Sequence, residues 1–163
     1  MKGLSNSLSR NLILSFILIF LVFIFSCTSS EFGQKTYKPD VPLITAATTG
    51  DIKWINAYLP WVTRINVRND YGQTALIIAT RGNHLDIVEA LIERGADLNA
   101  TDDVGYTALI YAALYRNIDI VKALLASRAY MNIQGNDGET ALSIAKKRNS
   151  VEVVQILTEA GAK

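Results

Sequence analysis

The chain has 163 residues and a mass of 17.9 kDa, which is enough for one domain, or for a small domain with a targeting segment. Lysine and arginine number 16 and aspartate and glutamate 15, so the net charge of +1 provides no strongly basic field for nucleic acid. A single cysteine excludes a disulfide framework within one monomer, and a single histidine argues against a zinc site.

The N-terminal region carries the apolar excess of the composition. Residues 12–25 read LILSFILIFLVFIF, without a charge, and Lys2 and Arg10 precede them. A helix of this length spans about 21 Å, which is short of the roughly 30 Å hydrocarbon core of a bilayer. A positive segment followed by a short apolar stretch and a small residue predicts a secretory signal peptide over residues 1–26.

The end of this segment, Ile24-Phe25-Ser26-Cys27, resembles the lipobox of bacterial lipoproteins. The resemblance implies cleavage before Cys27, a diacylglyceryl group on its sulfur and a further acyl chain on its amine, which together anchor stably. Residues 27–40 are then a lipidated cysteine and a flexible tether that reaches at most ~40 Å. The expected location is a bacterial cell membrane or envelope, facing the periplasm or the exterior, and the alternative is an uncleaved signal anchor.

A short motif recurs with a period of about 33 residues, since Thr-Ala-Leu begins at Thr74, Thr107 and Thr140. The glycine two residues before each threonine and the alanine five residues after it keep the same spacing, and a weaker copy begins at Pro42-Leu43. Such a period predicts a solenoid, in which each unit buries its apolar face against its neighbours. The folded domain is therefore expected over residues 41–163, in units of about 41–68, 69–101, 102–134 and 135–163.

Each unit combines residues that start helices with residues that end them. In the second unit, Thr74 can cap a short apolar helix with its hydroxyl group. The spacing of Leu85, Val88 and Leu91 predicts a longer amphipathic helix. Gly95 is suited to end that helix in the left-handed conformation.

Two arginines occupy positions where other units have residues suited to left-handed backbone. Arg116 is equivalent to Asn83, and Arg128 is equivalent to Gly95. If φ is positive at these arginines, each costs on the order of 1 kcal/mol. We therefore expect Arg128→Gly to raise the thermal stability.

The repeated pattern resembles that of ankyrin-repeat proteins, over about residues 41–163. The family's Thr-Pro-Leu-His motif reads here Thr-Ala-Leu-Ile at 74–77 and 107–110, and its closing run reads Gly-Ala-Asp-Leu-Asn at 95–99. The resemblance implies an all-α repeat fold, an ankyrin-repeat solenoid of four helix-turn-helix-hairpin units. It also implies a concave surface built from hairpin tips and first helices.

The same resemblance implies that an unidentified protein partner binds to this concave surface. Tyrosine and arginine are frequent anchors in protein interfaces, and several of them fall on the hairpin tips and on the exposed side of the first helices. Position by position, the expected partner-binding residues are Arg68, Asp70, Tyr71, Gln73 and Arg81 in the second unit, Thr101, Asp103, Val104, Tyr106, Leu114 and Tyr115 in the third, and Gln134, Asp137, Glu139, Lys147 and Arg148 in the fourth.

Few residues are suited to catalysis. We expect a structural role for His84, and we expect Asp102 and Asp103 to be solvated turn residues. Without a triad motif or a Gly-rich phosphate loop, the sequence predicts no enzyme, cofactor, metal, small-molecule substrate or nucleic acid. Trp54 and Trp61 are expected to pack in the core of the first unit. The alternative function is that of a signal-anchored accessory subunit or regulator of an enzyme.

Overall fold

The computed structural model describes residues 41–163. Within this range the regular structure consists of eight α-helices and one short 3-10 helix, Leu59–Trp61, and there is no strand. The α-helices are α1 (Val41–Thr49), α2 (Ile52–Tyr58), α3 (Ala75–Arg81), α4 (Leu85–Glu93), α5 (Ala108–Tyr115), α6 (Ile118–Ala126), α7 (Ala141–Lys147) and α8 (Val151–Glu159).

Consecutive helices form four pairs that stack on one another. The first helices α1, α3, α5 and α7 contact their neighbours and form an inner layer, and the second helices α2, α4, α6 and α8 form an outer layer in the same way. This arrangement confirms the predicted all-α repeat fold. The boundaries of the predicted units stay predictions, since they fall in the loops that connect the pairs.

Threonine starts three of the inner helices, as the repeated motif predicts. The Oγ1 atoms of Thr74, Thr107 and Thr140 accept hydrogen bonds from the backbone N–H three residues later, at 3.2–3.3 Å. Each bond satisfies one of the N–H groups that a helix start leaves without a partner. The motif therefore fixes where each inner helix begins.

The motif also supplies the contacts between the layers. Ala79, Ala112 and Ala145 have no exposed surface, and their small side chains let the inner helices pack closely. Leu91 and Leu124 of the outer layer are also fully buried, so these leucines fill the space behind the inner helices. One continuous core therefore runs through all four helix pairs.

Asparagines at the same position of successive units join the units to one another. Each side-chain Oδ1 accepts a hydrogen bond from a backbone N–H that lies 31 residues further along the chain. The three bonds are Asp97 N to Asn66 at 2.8 Å, Tyr130 N to Asn99 at 2.8 Å and Lys163 N to Asn132 at 2.9 Å.

The hairpin glycines are required where one hairpin approaches the next. Gly105 has a φ of +80°, and a Cβ atom there would lie 2.7 Å from the backbone nitrogen of Asn136. Gly138 has nearly the same φ, +78°, but a Cβ atom there would have no neighbour within 4 Å. Both the left-handed backbone and the close approach thus favour glycine at 105, and only the backbone favours it at 138.

The left-handed backbone expected at the two arginines is confirmed. Arg116 has a φ of 59° and Arg128 a φ of 66°, close to the values of 56° at Asn83 and 53° at Asn149. The guanidinium of Arg116 donates a hydrogen bond to the carbonyl of Arg148 in the next unit. Arg128 is exposed.

The first helix pair differs from the expectation at one of its tryptophans. Trp54 is partly buried and packs against the core, as predicted. Trp61 is 82% exposed, so its assignment to the core is wrong. The side chain of Leu59, at the other end of the 3-10 helix, is buried instead, and it leaves Trp61 on the surface.

Candidate protein-binding groove

An open groove of about 770 Å³ runs along the inner layer, between the hairpin loops and the ends of α1, α3 and α5. We call it the inner groove. Its walls combine exposed aromatic side chains, one guanidinium group and two carboxylates. The hairpins contribute Asn69, Tyr71, Asp102, Asp103 and Val104, and the helices contribute Thr48, Ile78, Arg81, Tyr111 and Tyr115.

The hairpin before α5 is held in shape by Asp102. Its Oδ1 atom accepts hydrogen bonds from the backbone N–H groups of Val104 at 3.2 Å and Tyr106 at 2.9 Å. Its Oδ2 atom accepts a hydrogen bond of 2.7 Å from the hydroxyl of Tyr111. Asp102 is buried, so the expectation that it is a solvated turn residue is wrong. Asp103, the second residue of the acidic pair, is exposed as expected.

Tyr111 connects the hairpin to the helix wall of the inner groove. It is buried, and this burial, together with the hydrogen bond to Asp102, raises its pKa to about 12. The guanidinium carbon of Arg81 lies 5.2 Å from the centre of the Tyr111 ring, and the ring of Tyr115 stacks on it at 6.2 Å. The cation–π contact fixes the position of Arg81 in the groove wall.

Two side-chain contacts hold the hairpin before α7. The hydroxyl of Tyr106 donates a 2.5 Å hydrogen bond to Asp137, which raises the pKa of Tyr106 to about 12 and lowers the pKa of Asp137. Lys147 and Glu139 form an ion pair, and hydrogen bonds from Lys147 and Ser143 lower the pKa of Glu139. Tyr106 is therefore paired with Asp137, and Lys147 with Glu139, within the stack.

The structure brings together part of the predicted binding surface. Tyr71, Arg81, Asp103, Val104 and Tyr115 all line the inner groove. Tyr71 is 72% exposed and Tyr115 is 47% exposed, so both rings are available to a partner. The predicted residues that lie outside its lining are Arg68, Asp70, Thr101, Tyr106, Leu114, Gln134, Asp137, Glu139, Lys147 and Arg148.

Gln73 lies in the groove lining but offers little surface. Its side chain is only 8% exposed, and its Oε1 accepts a 3.2 Å hydrogen bond from Asn69. Asn69 in turn accepts hydrogen bonds from the backbone N–H groups of Tyr71 and Gln73, both at 2.9 Å. The expectation that Gln73 stands on an exposed face is therefore wrong, and its role is to support the hairpin.

Sequence reasoning missed six residues of the lining, which include Gly82, Asp102 and Tyr111. Thr48 stands one repeat period before Arg81, so the repeat alone could have placed it on the same wall. Ile78 is at a position expected to face the core, yet it is only partly buried. Asn69 is the turn residue equivalent to Asp102, and no pattern distinguishes a turn side chain that lines a groove from one that faces solvent.

The sequence matches the family described as "Ankyrin repeats (3 copies)" over residues 19–102, 43–134 and 101–163. The three matches together span well over half of the chain. The protein belongs to the ankyrin-repeat family. Ankyrin repeats are generally protein–protein interaction modules and are typically non-catalytic. This usual role agrees with a groove that is lined by exposed aromatic and charged side chains. Comparison with curated proteins gives no match.

His84 is outside the lining of the inner groove but contacts Gly82, which belongs to it. The imidazole of His84 lies against Gly50 and Gly82, where a Cβ atom would come within 2.5–2.6 Å of the ring.

Among residues 41–163, no cluster of three or more metal-binding side chains is present, and no helix is both long and apolar enough to cross a membrane. Cys27, the predicted signal peptide and the tether lie outside the described residues.

Proposed function

We propose that this ankyrin-repeat protein binds a protein partner through the inner groove while a lipid on Cys27 tethers it to a membrane of the bacterial cell envelope. The observation that carries the binding role is the groove itself, in which Tyr71, Tyr115 and Arg81 line one concave surface. Residues of these types contribute most of the free energy in many interfaces. We propose no catalytic activity, cofactor or small-molecule substrate for this surface.

The fixed position of Arg81 supports binding rather than a merely solvated surface. A guanidinium held over an aromatic ring has lost part of its conformational freedom before a partner arrives, which lowers the entropic cost of binding. Asp103 and the buried Asp102 line the opposite wall. A partner segment that carries both charge signs together with an apolar side chain fits these walls best, because opposite charges then meet.

The tether is supported by the sequence. The only cysteine of the chain stands directly after a short apolar segment, at the position where lipoprotein processing needs it. The intact mass of the protein, extracted in detergent from its native bacterium, tests this part of the proposal. We expect loss of residues 1–26 and added acyl mass on Cys27, whereas a full-length, unmodified mass would replace the lipid with a signal anchor.

The binding role is tested with alanine variants of the groove tyrosines. We expect Tyr71→Ala and Tyr115→Ala together to abolish the co-purification of envelope proteins that crosslink to the wild type. The melting temperature should fall only slightly, because Tyr71 is exposed and Tyr115 loses only its stack on Tyr111. Tyr130→Ala is the matched control, since Tyr130 is 68% exposed and lies outside the inner groove. Normal co-purification by the double variant would exclude the groove as the binding surface.

A further inference from the structure

Three aromatic residues lie close together in sequence in the first helix pair, and we call them the aromatic end patch: Trp54, Tyr58 and Trp61. Trp54 and Tyr58 stack with their ring centres 4.3 Å apart and an angle of 18° between the rings. Tyr58 is 51% exposed, and Trp61 is the most exposed of the large apolar side chains among the described residues. The patch therefore presents aromatic surface to its surroundings.

The repeat explains why this surface is open. Trp54 and Tyr58 stand one repeat period before Ile87 and Leu91, both of which are fully buried in α4. The equivalent positions in α6 and α8 are also fully buried. These three helix pairs each have a preceding pair, and within residues 41–163 the first pair has none. Trp54 and Tyr58 thus lie at the end of the stack that a preceding pair would cover. Trp61, in the short 3-10 helix that follows, occupies the position of Arg94, which is exposed in its own unit as well.

We propose that the aromatic end patch rests on the surface of the lipid bilayer to which Cys27 is anchored, an inference that depends on the lipid anchor proposed above. Tryptophan and tyrosine are the side chains that concentrate at the boundary between lipid and water, because their rings are apolar and their N–H and O–H groups remain solvated. An exposed aromatic surface of this composition is therefore suited to the headgroup region of a membrane.

The position of the patch along the chain favours the membrane as its occupant. The described structure begins at Val41, in the same helix pair as the patch, and residues 28–39 span at most ~40 Å. An anchor at Cys27 therefore keeps this end of the stack within reach of the bilayer, at a high effective concentration.

Such contact leaves the inner groove accessible. The patch belongs to α2 and the 3-10 helix that follows it, in the outer layer, whereas the groove is lined by inner helices and hairpins. A protein held by its anchor and by the patch therefore has its groove free for a partner. One surface fixes the orientation of the molecule, and the other binds.

Tryptophan fluorescence tests the contact directly, because Trp54 and Trp61 are the only two tryptophans of the chain. The mature protein is reconstituted into vesicles of phosphatidylcholine and phosphatidylglycerol, with or without brominated acyl chains, which quench nearby indoles. We expect the brominated vesicles to lower the fluorescence by half or more. We expect Trp61→Ala to weaken the quenching, and Tyr130→Ala, at an exposed aromatic residue elsewhere in the stack, to leave it unchanged.

The outcomes separate the patch from the anchor. If the protein sediments with the vesicles but brominated lipid does not quench it, the anchor stands and the contact of the patch is overturned; the patch then faces solvent, a second copy or another protein. Equal quenching in the wild type and Trp61→Ala would also contradict the proposed role of Trp61. If the protein does not sediment with vesicles at all, the anchor is overturned, and the contact that depends on it falls as well.

Discussion

Positions one repeat period apart have different surroundings in the interior of the stack and at its two ends. Leu91 and Leu124 are fully buried in the outer layer, but Tyr58 at the same position of the first helix pair is half exposed. Gly105 touches the next hairpin, but Gly138 at the same position of the last described hairpin has open space. The φ values of the two glycines are nearly equal, so the neighbouring hairpin makes the difference between them.

This difference shows how one repeated sequence yields both a stable stack and distinct surfaces. Residues that recur in three of the units, such as the capping threonines and the fully buried alanines, build the interior. Some of the residues that break the repeat are exposed. Tyr71 in a hairpin and Trp61 at the first end are both absent from the equivalent positions of the other units, and both are on the surface.

The largest predicted effect compares Leu91 with Tyr58. We expect Leu91→Ala to lower the free energy of unfolding by about 2–5 kcal/mol, because it leaves a cavity between neighbouring pairs. Tyr58→Ala should lower it by about 1 kcal/mol or less, through loss of the stack on Trp54. Urea unfolding of both variants measures the difference. Equal losses would mean that Tyr58 is covered as completely as Leu91.

The hairpin glycines provide the next comparison. Gly105→Ala is expected to cost about 2–4 kcal/mol, because a methyl group there is crowded by the backbone of Asn136 and is strained by the left-handed φ. Gly138→Ala has only the strain and is expected to cost about 1 kcal/mol. The same unfolding measurement compares them. A Gly138 variant as unstable as the Gly105 variant would contradict the open space at the last hairpin.

Replacing the left-handed arginines should stabilise the protein unequally. Arg128→Gly removes a side chain from a left-handed residue and is expected to raise the free energy of unfolding by about 1 kcal/mol. Arg116→Gly should gain less, because it also removes the hydrogen bond to the carbonyl of Arg148 in the next unit. A loss of stability in Arg128→Gly would reveal a contact of Arg128 that outweighs its backbone strain.

The smallest effect concerns alkaline pH. Tyr106 and Tyr111 have their pKa raised to about 12 in the folded protein, above the value of about 10 in an unfolded chain. Their hydrogen bonds to aspartate therefore stabilise the fold fully below pH ~10 and are lost as the pH rises through ~12. Urea unfolding across this range should show a smaller alkaline loss for Tyr111→Phe, while Tyr71→Phe should behave as the wild type does.

Features that depend on one unit alone could be predicted from the sequence. Thr74 caps α3 through a residue three positions away, so the local motif is enough to predict it. The left-handed backbone at Arg116 and Arg128 was predicted in the same way, because the repeat aligns them with asparagine and glycine. The repeat period predicts a solenoid, and the resemblance of the motif to ankyrin repeats implies its stacked helix pairs.

Features that depend on packing between elements could not be predicted in this way. Asp102 is buried because Tyr111, nine residues later on the next helix, reaches back to its carboxylate. A pair of aspartates in a turn normally predicts side chains that are exposed to solvent, and nothing in the local sequence shows that Asp102 is an exception. Trp61 was misplaced for the opposite reason, since an apolar side chain is assigned to a core, but the short 3-10 helix buries Leu59 and leaves Trp61 on the surface. The inner groove likewise depends on packing between units, because residues of three successive units line it.

Site-specific photocrosslinking in the native organism tests the central claim most directly. A photoreactive amino acid is placed at Tyr71, Tyr115 or Tyr130 in turn, and crosslinked products are resolved by size and identified by mass spectrometry. If the inner groove binds a protein partner, positions 71 and 115 yield the same adduct and position 130 does not. An adduct from position 130 alone, or none from either groove position, would contradict the assignment of the groove as the binding surface.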